Sequence, residues 1–171
     1  MDNESKKKVC LVGDFAVGKT SLTRRFVNNV FSDKYLTTVG VKIDTKVVSS
    51  VGRDGAEVTT KLVVWDIAGE STVTSINESY MRGLAGYLLV ADGTRRATLD
   101  TALHLHERTT EIFGPLPFVV LLNKHDLTEE WDISESDQQA LTDRGFKIYE
   151  SSAKSGTHVE DAFTWLAGQM S

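Results

Sequence analysis

Gly13-Asp14-Phe15-Ala16-Val17-Gly18-Lys19-Thr20 fits the pattern G-x-x-x-x-G-K-[ST], and its setting decides the fold. The apolar run at 8–12 before it reads as a strand, and the stretch 19–28 after it reads as a helix. That strand–loop–helix order is what a phosphate-binding loop requires. Glycines let the backbone wrap so that successive N–H groups face inward, and these bind phosphate oxygens together with the helix N-terminus. Phe15, Ala16, Val17 and Gly18 would line a nucleotide with their backbone. Lys19 would bridge its outer phosphates, and the Thr20 hydroxyl can ligate Mg²⁺. A glycine-rich turn without a ligand is the bland alternative, which the flanking strand and helix disfavour.

Outward from this loop, apolar runs alternate with helical patterns. Strands are expected at 8–12, 41–50, 60–66, 86–92, 118–123 and 147–151. Helices are expected at 19–28, after the turn at 66–69, and at 98–113, 134–143 and 157–169. In the last, Val159, Ala162, Phe163 and Leu166 fall on one stripe, and Thr157 with Glu160 reads as a capping box. The turn formers at 51–55 predict an antiparallel hairpin, whereas the other strands need crossovers and should be parallel. The expected architecture is an α/β P-loop NTPase: a six-stranded, mostly parallel sheet with one antiparallel edge strand and helices on both faces.

At 171 residues the chain reads as one domain able to bury a core, and 40% hydrophobic with 25% charged residues excludes a disordered chain. A net charge of -5 argues against a nonspecific nucleic-acid binder. The single cysteine, Cys10, cannot form an internal disulfide, so a reducing, cytoplasmic setting is expected, with Cys10 as a buried small hydrophobe. No run is long and apolar enough to span a bilayer. Neither end carries a leader or lipidation pattern, so no direct membrane anchor is expected unless a tail is missing.

Two further segments bear chemistry. Asp66-Ile67-Ala68-Gly69 ends the third expected strand, where an aspartate beside a phosphate loop can hold Mg²⁺ through water and Gly69 can bring its N–H to a terminal phosphate. Asn123-Lys124-His125-Asp126 follows Phe118-Val119-Val120-Leu121-Leu122, the most apolar stretch, and so emerges at the strand edge where open α/β sheets bind ligands. The Asp126 carboxylate can accept from guanine N1–H and the 2-amino group, two donors that adenine lacks. A polar loop with a helix cap is the plainer reading. His104 and His106 lie two apart on a helix and read as surface or packing residues, not metal ligands. Trp131 reads as cover for an apolar edge, and Arg95-Arg96 as a solvated charge pair.

With these motifs in order, the chain resembles a small GTPase of the Ras superfamily, closest in wording to the Rab and Ras branches. Thr37-Thr38-Val39-Gly40-Val41, Trp65-Asp66-Ile67-Ala68-Gly69 and Ser79-Tyr80-Met81-Arg82-Gly83 resemble the family's two switch segments. The resemblance spans residues 8–166 and implies a monomeric small G domain that binds GTP or GDP with Mg²⁺. It implies that Thr38 is the second protein ligand of Mg²⁺ after Thr20, with Asp66 holding the ion through water, that Tyr35 lies over the phosphates, and that Ser21 touches the α-phosphate. It also implies that Phe31 packs on the guanine, and that Ser152-Ala153-Lys154 places the Ala153 N–H on the guanine oxygen, with Lys154 and Lys124 flanking the base. Effectors and regulators would read the switch loops, with Ile43, Trp65 and Tyr80 in the places of a hydrophobic effector triad.

Two positions depart from that pattern. Phe15 stands where glycine or serine is usual, in the space an arginine finger needs. Glu70 stands where a glutamine orients the attacking water. Lys19, Thr38 and Glu70 are the catalytic candidates, and the departures imply slow hydrolysis. Two rival readings remain at this stage. One is a GTP-binding interaction scaffold that hydrolyses almost nothing. The other is a nucleoside or nucleotide kinase, for which neither an arginine-bearing lid nor an acceptor site is visible.

Overall fold

The computed structural model describes residues 4–32, 40–67 and 78–170. Tyr35, Thr38, Gly69 and Glu70 lie outside the described residues, as does most of the segment expected to be helical after the 66–69 turn.

Six strands form one sheet: β1 (Glu4–Gly13), β2 (Val41–Val51), β3 (Glu57–Ile67), β4 (Leu84–Asp92), β5 (Phe118–Asn123) and β6 (Ile148–Glu150). Their order is β2-β3-β1-β4-β5-β6. Only the β2–β3 pair is antiparallel, which places the antiparallel strand at one edge as expected. The central strands carry continuous apolar runs because both their faces are covered: Val119, Val120, Leu121 and Leu122 of β5 are all fully buried. β2, at the edge, alternates instead, with Val48 and Ser50 buried and Ile43, Val47 and Val51 exposed.

Helices α1 (Lys19–Asn28), α2 (Glu78–Met81), α3 (Arg96–Phe113), α4 (Glu135–Asp143) and α5 (Val159–Gln169) cover the two faces. β1 shows the division residue by residue. Val9 and Leu11 join a cluster with Leu22 and Phe26 of α1 and Phe163 and Leu166 of α5. Cys10 and Val12 face the other way, toward Leu99 and Leu105 of α3 and Leu141 of α4. Phe26 and Phe163 stack with ring centroids 3.9 Å apart, locking α1 to α5. Cys10 is fully buried, and burial pushes its thiol up to about 12 against the opposing pull of Lys8.

Several boundaries differ from expectation. β1 begins four residues earlier, since parallel pairing with β3 carries the strand out through Lys6 and Lys7. α3 starts at Arg96, two residues early, because the Thr98 hydroxyl serves the preceding turn: it accepts from the Asp92 N–H at 2.8 Å and donates to the Arg95 carbonyl at 2.7 Å. The capping box expected at Thr157 is not formed. α5 starts at Val159 behind His158, which sits at φ +58 with no side-chain cap, while the Thr157 carbonyl accepts from the Ser152 N–H. A capping box does occur at α4, between Ser134 and Asp137. Arg95 and Arg96 do reach solvent, but each is also ion-paired, beyond the expectation from sequence: Arg95 with Asp92, and Arg96 with Asp100 and Asp137. His106 packs as expected, its Nδ1 2.6 Å from the Tyr87 hydroxyl. Trp131 lies so close over Gly93 that a Cβ there would come within 2.0 Å of the indole, so a larger residue would have to displace the ring.

Candidate functional site

The sheet order reverses at β1, which has β3 on one side and β4 on the other. A crevice at the C-terminal edge of strands beside such a reversal is where open α/β sheets take ligands. Five segments converge there: the loop after β1, the end of β3, and the loops after β4, β5 and β6.

The loop after β1 turns through Ala16 at φ +60 and Gly18 at φ +103. Gly18 is required twice over. Its backbone is left-handed, and a Cβ would stand 2.3 Å from Asn123 Nδ2. Gly18 then caps α1 without a side-chain bond, and no acidic residue occupies the first turn, so the helix start offers its positive end to an anion. Lys19 is buried, and its Nζ donates to the carbonyls of Gly13 at 2.8 Å and Asp14 at 3.1 Å. Burial holds its ammonium below the ordinary value, partly offset by Asp66 and Asp14. A phosphate placed in this loop would supply the counter-charge that burial demands.

At the end of β3, Asp66 is buried and its Oδ2 accepts from the Thr20 hydroxyl at 2.6 Å. These are two hard oxygen donors side by side, the chemistry Mg²⁺ favours. Among the described residues no group of three or more His, Cys, Asp and Glu side chains could enclose a metal. An ion at Thr20 and Asp66 would need further oxygen ligands, for which phosphate, water and the expected Thr38, outside the described residues, are the candidates.

The loop after β5 is laced to the phosphate loop. Asn123 Nδ2 donates to the Val17 carbonyl at 3.0 Å, and Lys124 Nζ donates to the Ala16 carbonyl at 3.0 Å. Lys124 takes φ +67, an uncommon turn for a side-chain-bearing residue that aims its ammonium back over the loop. Asp126 Oδ1 accepts from the Ser152 hydroxyl at 2.7 Å, so the loop after β6 positions the expected guanine acceptor. Ala153 is buried and Lys154 exposed, and Phe31, beyond the end of α1, is exposed. Phe15 stands half exposed on the phosphate loop.

Three contributors were missed in the sequence. Arg25 of α1 holds the loop after β6, donating from Nε to the Ala153 carbonyl at 2.7 Å and from Nη2 to the Lys154 carbonyl at 2.5 Å. Asp92, buried at the end of β4, pairs with Lys124 at 2.9 Å and with Arg95 at 3.0 Å, and accepts from the Thr94 N–H and hydroxyl. Burial alone would raise its pKa, but the bonds from Lys124, Thr94 and Arg95 outweigh it and hold the carboxyl below its ordinary value. The third is Arg95. Asp92 had a readable signal, since it ends an apolar strand just as Asp66 and Asn123 do.

Away from the crevice, Ile43 and Trp65 are direct cross-strand partners in the β2–β3 register. Trp65 and Tyr80 have ring centroids 6.4 Å apart, and the Lys8 ammonium sits 3.6 Å over the Trp65 ring. Ile43 is 47% exposed, and Trp65 and Tyr80 are partly exposed, so the three form one accessible apolar strip.

A glycine-rich loop between β1 and α1, a buried acid at the end of β3, and the loop after β5 laced to that glycine-rich loop, on one edge of this sheet, define a P-loop domain of the small G type. The Ras family model matches residues 8–171. Ras-related protein RABA2c of Arabidopsis thaliana is 34% identical over 165 residues, covering 95% of this chain and 74% of the relative. GTP-binding protein yptV2 of Volvox carteri is 35% identical, covering 97% and 76%. Ras-related protein Rab-8B of Pongo abelii is 35% identical, covering 94% and 76%. The chain belongs to the Ras family and is a Rab-like small GTPase that binds and hydrolyses GTP. Among the described residues no helix is long and apolar enough to cross a membrane.

Proposed function

We propose that the chain is a Mg²⁺-dependent switch in which the loop from Phe15 to Thr20, with Ser21, holds the phosphates of GTP or GDP. Asn123, Lys124, Asp126, Ser152, Ala153 and Lys154 read the guanine. The observation that carries this reading is the lacing of the two loops: Asn123 and Lys124 grip the Val17 and Ala16 carbonyls, so base and phosphate subsites form one rigid cradle. Thr20 and Asp66 would hold Mg²⁺, which when bound neutralises phosphate charge. Thr38, Tyr35, Gly69 and Glu70, outside the described residues, would answer to the γ-phosphate, ordering both switch segments and releasing them when it is lost. Phe31 would pack on the base.

Hydrolysis by this site would be slow. Phe15 places a bulky, half-exposed side chain on the phosphate loop, where an incoming arginine would need room. Glu70 can accept a proton from water, but when ionised it cannot donate the hydrogen bond that glutamine provides. The strip of Ile43, Trp65 and Tyr80 would present the partner surface, and the chain would act as a cytoplasmic monomer of one domain. Identification of the copurifying nucleotide, followed over time, tests the reading. A guanine nucleotide converted slowly from the tri- to the diphosphate, and released faster when Mg²⁺ is chelated, is the expected result. An adenine nucleotide, or release indifferent to chelation, would contradict it.

A further inference from the structure

The phosphate loop is braced from outside as well as from within. Arg95, in the turn that leads into α3, forks: Nε pairs with Asp92 Oδ2 at 3.0 Å, and Nη2 donates to the Phe15 carbonyl at 3.0 Å. Asp92 Oδ2 also takes Lys124 Nζ at 2.9 Å, and that ammonium donates to Ala16. One buried carboxylate therefore anchors two cations that seize consecutive carbonyls of the phosphate loop. α3 adds a further hold, since the Thr101 hydroxyl donates to Asp14 Oδ2 at 3.3 Å, while Asp14 Oδ1 accepts from the Phe15 N–H at 2.7 Å.

We infer that Arg95 is a positioning residue for nucleotide retention: by bridging Asp92 and the Phe15 carbonyl it fixes the outer limb of the phosphate loop. This rests on the reading of that loop as the phosphate site. The limb from Gly13 to Phe15 is also the one whose Gly13 and Asp14 carbonyls hold the Lys19 ammonium. A shift of the limb moves Lys19 relative to the outer phosphates, and small misplacements of a binding group cost disproportionately. Arg95 meets Asp92 from Nε and the Phe15 carbonyl from Nη2, two nitrogens held apart by one planar group; a lysine keeps the charge and can pair with Asp92, but would have to meet both partners from a single nitrogen, as Lys124 does for Asp92 and Ala16 from its own position. The guanine subsite is not on this limb. Asp126 is held by Ser152, and Lys124 keeps its own bond to Asp92 when Arg95 is gone. Loss of Arg95 should therefore loosen phosphates without blurring base choice.

The test is the dissociation rate of fluorescent GDP and of a fluorescent non-hydrolysable GTP analogue from the full chain with Mg²⁺, for Arg95→Ala, Arg95→Lys and a control, Arg108→Ala, whose ion pair with Glu111 lies elsewhere on α3. Arg95→Ala and Arg95→Lys should both release nucleotide about three- to tenfold faster, the range of one charge-assisted hydrogen bond weakened by solvent exposure. The preference for GTP over inosine triphosphate, which lacks the 2-amino group, should stay within about twofold, since that contact belongs to Asp126. Three results would each overturn the inference while the unaltered protein holds guanine nucleotide. The first is unchanged rates, or rates raised no more than in Arg108→Ala. The second is full restoration by lysine, which would mean that charge and not the fork matters. The third is collapse of base preference along with retention. Failure of the unaltered protein to hold guanine nucleotide would instead bring down the reading of the site, and the inference with it.

Discussion

The Thr20 hydroxyl donates to Asp66 Oδ2 at 2.6 Å, joining the first turn of α1 to the end of β3 across 46 residues of sequence. The bond holds together the two side chains that would take Mg²⁺. Thr20→Asn removes the hydroxyl and adds bulk, so GTP affinity in the presence of Mg²⁺ should fall by about tenfold or more, the scale of one lost charge-assisted contact. GDP affinity should fall less. Nucleotide titration with and without Mg²⁺ checks this, and equal losses for both nucleotides would remove Thr20 from the metal site.

Asp126 presents a carboxylate steadied by the Ser152 hydroxyl. Asp126→Asn turns an acceptor into a donor at the ring's 2-position. GTP binding should weaken by about 10²-fold or more, because a site built for a hydrogen bond rejects ligands that cannot complete it, and xanthosine triphosphate binding should improve. Competition between the two nucleotides measures the switch. Retained GTP affinity would refute the guanine assignment.

Phe15 bears on activating proteins more than on intrinsic turnover. An arginine finger supplies about 10³ to 10⁵ in rate where it can enter. Single-turnover phosphate release should show poor stimulation of the unaltered chain by an arginine-finger activator. Phe15→Gly should restore stimulation while changing the unstimulated rate far less. Strong stimulation of the unaltered chain would defeat the argument.

His106 should make stability depend on acid. Burial lowers its pKa below 6.5 and Arg144 adds to this, with Glu107 opposing. Between 6.5 and the lowered folded value, the unfolded chain binds more protons than the folded one. Stability therefore rises with pH through that window and falls on acidification. Urea unfolding at pH 5.5 should show a lower midpoint than at pH 7.5, and His106→Gln should reduce that difference. An undiminished difference in the variant would assign the effect to other groups.

Much of this molecule was legible in the order of its residues because the signals are local. β5 stands at residues 118–123, as its unbroken apolar run requires, and α1 spans Lys19–Asn28 directly behind the glycine loop. The turn at 51–55 closes the one antiparallel pair, since turn chemistry is read over a few residues. Motif order then placed Gly13, Asp66 and Asn123 at strand ends, with Thr20 one loop beyond Gly13, and parallel topology carries all such ends to one edge.

Only the tertiary structure decided what steadies those motifs. Arg25 reaches carbonyls 128 and 129 residues away, and Asn123 reaches one 106 residues away. Arg95 and Arg96 look alike in sequence, yet one braces the phosphate loop and the other holds α4 through Asp137. Thr157 and Glu160 satisfy the spacing of a cap, but the loop from Ser152 claims the Thr157 carbonyl and the helix begins later. Apart from the Ser152–Thr157 bond, which closes within one loop, the deciding partner is brought near by the packing of segments far apart in sequence, and such a bond leaves no periodic trace in either segment.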